Sequence, residues 1–80
     1  MKLEIGEIYF LNSALSVVYG LEYNYDFHTI DTSHVLILER LPGRLQNHKS
    51  IKTYKALTKN GVCYFHIFEG LIGLFFRQIP

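Results

Sequence analysis

The chain has 80 residues, of which 49% are hydrophobic and 15% aromatic, and it contains a single cysteine. A chain of this length forms one domain, residues 1–80, and buries only about 60% of the surface that it exposes when unfolded. The apolar content excludes an intrinsically disordered chain, and the lone cysteine excludes an internal disulfide. Packing must therefore stabilise the fold, which fits a reducing compartment.

The formal net charge is +1, but the charges are unevenly distributed along the chain. Residues 1–39 have a balance of −5 and residues 40–80 a balance of +6. Acidic residues near the N-terminus interrupt the apolar segment that an export signal requires. The longest charge-free run, residues 8–21, is too short and too polar to span a membrane. We therefore expect a soluble, cytoplasmic protein with no membrane partner.

The first half of the chain predicts a strand followed by a long hairpin. Ile8–Leu11 is an apolar run that we expect to form a strand buried on both faces. Over residues 16–28, apolar residues occupy the odd positions and mostly polar or small residues the even ones, which indicates extended chain with one buried face. Thirteen residues in one straight strand would span about 40 Å. We therefore predict a hairpin that bends at Gly20 or around Asn24.

Three further strands and a helical turn are predicted from residue 34 onwards. Residues 34–39 are apolar and β-branched and end at a charged residue, which favours a strand. Ile51–Thr58 is the next strand, and residues 59–61 turn it into a strand over 62–67 because Asn-Gly tolerates the positive φ of a tight hairpin turn. Residues 69–73 then predict a short helical turn.

Residues 74–79 are predicted as a last strand that stops at Pro80. Five short antiparallel strands would leave hydrophobic edges exposed unless the sheet closed, so the elements predict an all-β barrel. Their layout resembles the SH3-like small β-barrels over nearly the whole chain. In this resemblance residues 12–33 stand for the long RT-type hairpin and residues 69–73 for the helical turn before the last strand. Residues 61–66 stand for the Gly-aromatic signature of the fourth strand.

The resemblance implies that the RT-type hairpin contacts a partner protein. In peptide-binding SH3 domains this hairpin supplies the aromatic rings and acids that hold a proline-rich ligand and its arginine. The residues that offer both chemistries here are Glu22, Tyr23, Tyr25, Asp26 and Phe27. The chain departs from the family pattern, since it has no tryptophan at residues 53–54 and no Pro-x-x-Tyr motif at 66–69. A protein partner is therefore expected, but not a proline-rich one.

The basic second half supports nucleic-acid binding as the alternative function. The candidate residues are Arg40, Arg44, Lys49, Lys52 and Lys59, with the rings of Tyr54 and Tyr64 as stacking platforms. Against this alternative, Lys52 and Lys55 have opposite strand parity and cannot share a face. The isoelectric point near 7.9 is also below that of a typical nucleic-acid module. A solvated basic surface, partly paired with the acidic half, is the simpler interpretation.

No motif in the chain predicts catalysis, and we expect no enzyme activity, no metal and no cofactor. Cys63 and His66 are three residues apart on a strand and so point to opposite faces, with Cys63 on the buried face. Four potential metal ligands crowd one segment, but their spacing matches no closed tetrahedral site. These four residues are Asp26, His28, Asp31 and His34.

The sequence as a whole predicts a non-enzymatic interaction module that docks on a larger partner protein as an adaptor, modulator or inhibitor. Single small modules are common among viral and mobile-element proteins that target host factors, and this is the context we expect. A third possibility is a structural homo-oligomer that associates through the edge formed by residues 74–79.

Overall fold

The structure is a computed structural model and describes residues 2–18, 27–30, 34–41 and 51–79. Its strands are β1 (Ile8–Leu11), β2 (Leu15–Val18), β3 (Phe27–Ile30), β4 (His34–Leu41), β5 (Ile51–Thr58), β6 (Gly61–Phe68) and β7 (Phe76–Gln78). A 3-10 turn (Glu69–Leu71) and a single turn of α-helix, α1 (Ile72–Phe75), lie between β6 and β7. Within these ranges all strands belong to one antiparallel sheet, in the order β3-β2-β6-β5-β4-β1-β7.

The all-β prediction is confirmed, but the prediction of five strands is wrong, because the described part of the chain has seven. The additional strands are the two arms of the predicted hairpin. β2 and β3 pair from Leu15↔Ile30 to Val18↔Phe27, and β2 also joins β6 at Val18↔Tyr64. Pairing supplies hydrogen-bond partners for backbone groups that a long loop would leave to water. The bend predicted at Gly20 or Asn24 lies outside the described residues.

The first strand is buried on one face rather than on both. Tyr9 and Leu11 are buried, whereas Ile8 is 48% exposed and Phe10 is half-buried. β1 lies between β4 and β7, so successive side chains alternate between the two sides of the sheet. An apolar run alone therefore does not distinguish a strand covered on both faces from one with an exposed apolar face.

The last strand is shorter than predicted. The helical turn begins at residue 69 as expected but continues through α1, and only Phe76–Gln78 pairs with β1. Ile72, the first residue of α1, is 1% exposed and belongs to the core, so its side chain anchors the helical segment against the sheet. The Asn12 backbone N–H donates to the Phe75 carbonyl over 2.7 Å and ties the end of α1 to β1.

Aromatic side chains show how far the sheet curls. Phe65 on β6 and Phe76 on β7 have ring centroids 5.5 Å apart, although their strands are four positions apart in the sheet order. In a flat sheet four strand spacings would separate them by about 19 Å. Tyr54 stacks on Phe65 at 5.6 Å, and Tyr9 meets Phe76 edge to face at 6.4 Å. The sheet is thus a curled half-barrel closed around these rings.

A β-bulge in β4 changes which side chains point inward. The register is regular through Ile37↔Ala56 and resumes at Glu39↔Lys55, so Leu38 is an extra residue in β4. Val35 and Ile37 are fully buried, while Glu39, two residues further, is exposed. A bulge also bends its strand and increases the local twist, which assists the curling of the sheet.

The β5–β6 hairpin is confirmed, with pairs from Ile51↔Phe68 to Thr58↔Gly61. Gly61 has φ +110°, a backbone conformation that residues with a Cβ rarely adopt. The Thr58 hydroxyl donates to the Gly61 carbonyl and accepts from the Asn60 N–H, both over 3.1 Å. The turn therefore rests on one glycine and one buried threonine.

Gly61→Ala should lower the free energy of unfolding by about 1–3 kcal/mol, because alanine is strained at this φ even though the space around it is open. Gly70→Ala is the matched control, since Gly70 also has no atom within 4 Å of an added Cβ and lies in the 3-10 turn without a positive φ. The control should be neutral or stabilising by up to about 1 kcal/mol. Urea denaturation of both variants measures the difference, and equal losses would contradict the backbone argument.

Candidate interaction surface

Four apolar residues form a continuous line across the outer face of the sheet, which is the face opposite the core. The cross-strand pairs are Ile8↔Leu36, Leu36↔Leu57 and Leu57↔Val62, and they connect β1, β4, β5 and β6. Directly opposed residues of antiparallel strands point to the same face. We call Ile8, Leu36, Leu57 and Val62 the outer apolar row.

The outer apolar row is accessible to solvent. Ile8, Leu57 and Val62 are 48%, 40% and 39% exposed, and Leu36 is half-buried between the fully buried Val35 and Ile37. An antiparallel sheet with one solvated face normally carries polar residues on that face. Adjoining exposed apolar residues make this face a candidate interaction surface.

A pair of opposite charges lies beside the row. Glu39 and Lys55 face each other across β4 and β5 on the outer side of the sheet. Glu39 is exposed and Lys55 half-buried. On β6 the next residue in this line is the half-buried Tyr64, which pairs with Lys55. The bulge brings Glu39 to this face, since in a regular strand Glu39, two residues after the buried Ile37, would point to the same side as Ile37.

Aromatic and cationic side chains contact one another on the opposite side of the row from Glu39 and Lys55. The Arg77 guanidinium lies 4.4 Å from the centroid of the Phe10 ring, and the ring of His34 meets Phe10 edge to face at 5.5 Å. These three residues pair across β7, β1 and β4. A cation over an aromatic face is attracted by the ring quadrupole. The outer face therefore continues from the apolar row into a polar margin.

The predicted hairpin contact lies mostly outside the described residues. Glu22, Tyr23, Tyr25 and Asp26 all fall there, and Phe27 is described only as the first residue of β3, paired with Val18. Contact with a partner through Glu22, Tyr23, Tyr25, Asp26 and Phe27 therefore stays a prediction.

Three of the five basic residues predicted to bind nucleic acid are described, and two of them, Arg40 and Lys52, lie on the same side of the sheet as Tyr54. Arg40 and Lys59 are exposed on β4 and in the β5–β6 turn, and Lys52 is half-buried at the start of β5. Lys52 pairs with the buried Ile67 and Lys55 with Tyr64, so the two lysines point to opposite faces. Arg44 and Lys49 lie outside the described ranges.

The two predicted stacking rings differ in accessibility. Tyr54 is 3% exposed and stacked on Phe65 in the core, so a base cannot reach its face in the folded protein. Burial also raises the pKa of the Tyr54 phenol, and the nearby Arg40 charge opposes that shift. Tyr64 is half-buried on the outer face beside Lys55 and remains available to a ligand.

Cys63 and His66 point to opposite faces of β6, as expected from their spacing. Cys63 is fully buried, while His66 is exposed and shares a hydrogen bond with Thr53 over 2.7 Å between Oγ1 and Nδ1. Among the described residues, no three His, Cys, Asp or Glu side chains cluster to hold a metal ion. Asp26 and Asp31 lie outside those ranges, and of His28 only the backbone is described.

Comparison of the chain with protein-family models, with curated proteins and with solved structures gives no match. In the described part of the chain, no helix is long and apolar enough to cross a membrane.

The outer apolar row was not predicted from the sequence, although the sequence contains a signal for it. In β5 the inward positions include Tyr54 and Ala56, so Leu57 has outward parity and is apolar where a solvated face would carry a polar residue. Val62, next to Cys63, departs from alternation in the same way. The row itself becomes visible only with the register, which aligns four such residues from four strands.

Burial in the core raises the pKa of the Cys63 thiol to about 11. The folded protein should therefore not react with a disulfide reagent at pH 8, whereas denatured protein should react fully. The folded state holds the thiol proton more tightly than the unfolded state, so this group lowers the free energy of unfolding as the pH rises from about 9 to about 11. Thiol titration and pH-dependent denaturation test both points, with Cys63→Ala as the control. Rapid labelling of folded protein would contradict the prediction.

Proposed function

We propose that the protein is a non-enzymatic protein-interaction module that docks on a partner protein as an adaptor or modulator. The observation that carries this proposal is the outer apolar row, three of whose residues are 39–48% exposed on a sheet whose other face already forms the core. Removal of such a surface from water is the main favourable term in protein association. The partner must therefore present an apolar surface of its own to this face.

The anatomy of the surface supports a specific contact. Protein interfaces combine an apolar centre with a polar rim, and charged residues are depleted at the centre. Here the apolar row forms the centre, while Glu39 and Lys55 lie on one side and Arg77 and His34 on the other. Charges at a rim contribute more to orientation and specificity than to affinity. They would fix how a partner lies across the strands.

The layout of the elements supports an SH3-like barrel as the architecture behind this module. β1 is followed by a paired hairpin, then by β4, β5 and β6 as a meander, and the helical segment precedes β7. In that architecture loops and outer surfaces make contacts while the interior is filled by side chains. The hairpin residues 22–27 are then a second contact region of the same module.

Leu57→Lys and Val62→Lys should each weaken partner binding at least about tenfold, because truncating or charging a central apolar residue costs more than about 1.4 kcal/mol. Leu74→Lys is the matched control, since Leu74 is 66% exposed and lies on α1, not on one of the four strands that carry the row. All three variants should keep the wild-type β-sheet circular-dichroism spectrum. Binding is measured by quantitative affinity capture with the four proteins side by side after nuclease treatment.

Only a difference between the row variants and Leu74→Lys supports the proposal. A protein retained equally by all four baits would contradict docking on this face, and its loss with Tyr23→Ala and Tyr25→Ala would locate the contact on the hairpin. Nucleic-acid binding predicts another pattern, in which affinity falls steeply with rising salt and Lys52→Glu with Lys59→Glu abolishes it. That pattern would contradict the proposed class of function.

A further inference from the structure

We propose that Arg40, Lys52 and the Tyr54 hydroxyl form a binding site for a terminal phosphate group, either on a small ligand or as the free ion. The three side chains lie on the inner side of the sheet, where β4 ends and β5 begins. The outer apolar row lies on the opposite face, so this site goes beyond the proposed function and is tested independently of it.

Two buried tyrosines differ in how their hydroxyl groups are satisfied. The Tyr9 hydroxyl accepts from the Glu4 N–H over 2.7 Å and donates to the Lys2 carbonyl over 3.3 Å. In the part of the chain that the structure describes, the Tyr54 hydroxyl has no hydrogen-bond partner. A buried hydroxyl without a partner lowers stability, and such groups are rare in native folds. A ligand that accepts a hydrogen bond from this phenol would satisfy it.

Two cations flank the Tyr54 ring. Arg40 on β4 is directly opposed to Tyr54, and Lys52 precedes Tyr54 by two residues on the same face of β5. Opposed residues have Cβ atoms about 5 Å apart, and residues i and i+2 of a strand are about 7 Å apart. These separations lie within reach of the long arginine and lysine side chains. Arg40 is exposed and Lys52 half-buried, so both charges are accessible to a ligand from solvent.

The β-bulge at Leu38 places Arg40 at this site. In a regular strand Arg40, three residues after the inward-pointing Ile37, would point outward. The register instead resumes after the bulge with Arg40 opposed to the buried Tyr54, so the arginine lies on the inner side. Bulges are frequent beside functional sites, where they redirect a side chain. Here the bulge brings a guanidinium next to a buried phenol.

The charges near the phenol favour an anion beside it. Burial raises the pKa of the Tyr54 phenol, and Arg40 opposes this shift more strongly than any other charge acts on the group. Glu69 and Glu4 act in the opposite direction to Arg40, with smaller effects. Both carboxylates are exposed, so water and salt screen them. The attraction for an anion therefore comes from the two cations, and the two acids limit the affinity.

A terminal phosphate matches the donors of this site better than other common anions do. It has three oxygens that accept hydrogen bonds and a charge of about −1.5 to −2 at pH 7. The site offers three donor groups, namely a guanidinium, an ammonium and a hydroxyl, and two positive charges. A carboxylate has two oxygens and one charge, which would leave one donor and one cation unmatched. The phosphodiesters of a nucleic-acid backbone also carry one charge each and match less well.

Titration of the full chain with inorganic phosphate at constant ionic strength tests the site. Proton–nitrogen correlation NMR follows the backbone amides and shows at the same time that the protein is folded. The amides of residues 40 and 52–54 should shift until they saturate, with a dissociation constant on the order of 1 mM, because an exposed guanidinium binds weakly. Acetate and dimethyl phosphate, which carry one charge each, should bind at least about tenfold more weakly.

Tyr54→Phe tests the hydroxyl and keeps the ring that stacks on Phe65. Without phosphate the variant should be at least as stable in urea as the wild type, because the hydroxyl makes no hydrogen bond to a described residue that the change would remove. Its affinity for phosphate should fall at least about tenfold.

Arg40→Gln and Lys52→Gln should also lower the phosphate affinity at least about tenfold, because each removes a charge-assisted hydrogen bond. Lys59→Gln is the matched control. It removes the same charge from an exposed lysine in the β5–β6 turn, at the opposite end of β5, and should leave the affinity unchanged. Leu57→Lys should likewise bind phosphate as the wild type does, so the failure of this site and the failure of the proposed docking face are distinguishable.

Four results would overturn the inference. The first is the absence of saturable shifts up to about 20 mM phosphate. The second is a Tyr54→Phe variant that keeps wild-type affinity or is less stable without phosphate. The third is an equal loss of affinity in Arg40→Gln and Lys59→Gln, which would show attraction by net charge alone. The fourth is equal binding of phosphate, acetate and dimethyl phosphate.

Methyl phosphate distinguishes the two sources of the group, because it keeps three terminal oxygens but belongs to a larger molecule. Binding as tight as that of the free ion supports the site and assigns it to a phosphorylated ligand. Binding of the free ion alone supports the site and assigns it to phosphate itself.

Discussion

The contact between Phe65 and Phe76 is the constraint on which the rest of the structure depends. Their rings meet at 5.5 Å although β6 and β7 are four positions apart in the sheet order, so the strands between them must roll around the pair. Tyr54 and Tyr9 extend the contact on either side. Aromatic rings bury more apolar surface than other side chains, and a chain of this length has few other means of filling a core.

Because the sheet rolls around these rings, its two faces have different roles: one forms the core and the other faces outward. The inner positions of β1, β2, β4, β5, β6 and β7 contribute to one core, while the pleat sends the neighbouring positions outward. In β1, β4, β5 and β6 the outward positions include Ile8, Leu36, Leu57 and Val62, and the register aligns those four residues. The outer apolar row is therefore a consequence of register. A slip of one residue in any of these strands would exchange its inner and outer sets.

Much of the fold follows from local patterns. The bounds of β1 and β5 and the turn at Asn60-Gly61 were predictable from apolar runs and turn chemistry, because these signals are contained in a few consecutive residues. The pairing of β2 with β6 was not, since it joins segments more than 40 residues apart. The same limit applied to the candidate site, because each residue of the row looks like an ordinary strand residue in isolation. The outward position of Glu39 depends on a bulge that alternation alone does not predict.

The extra residue at Leu38 has a consequence for how this chain tolerates change in length. A substitution at this position alters one half-buried side chain. A deletion of Leu38 would let Glu39 follow Ile37 directly and keep the pairs with Lys55 and Ala56, so both side chains would keep their faces while the bend of the bulge was lost. Loss of this residue should therefore alter the curvature of the strand and leave the pattern of inward and outward side chains in β4 unchanged.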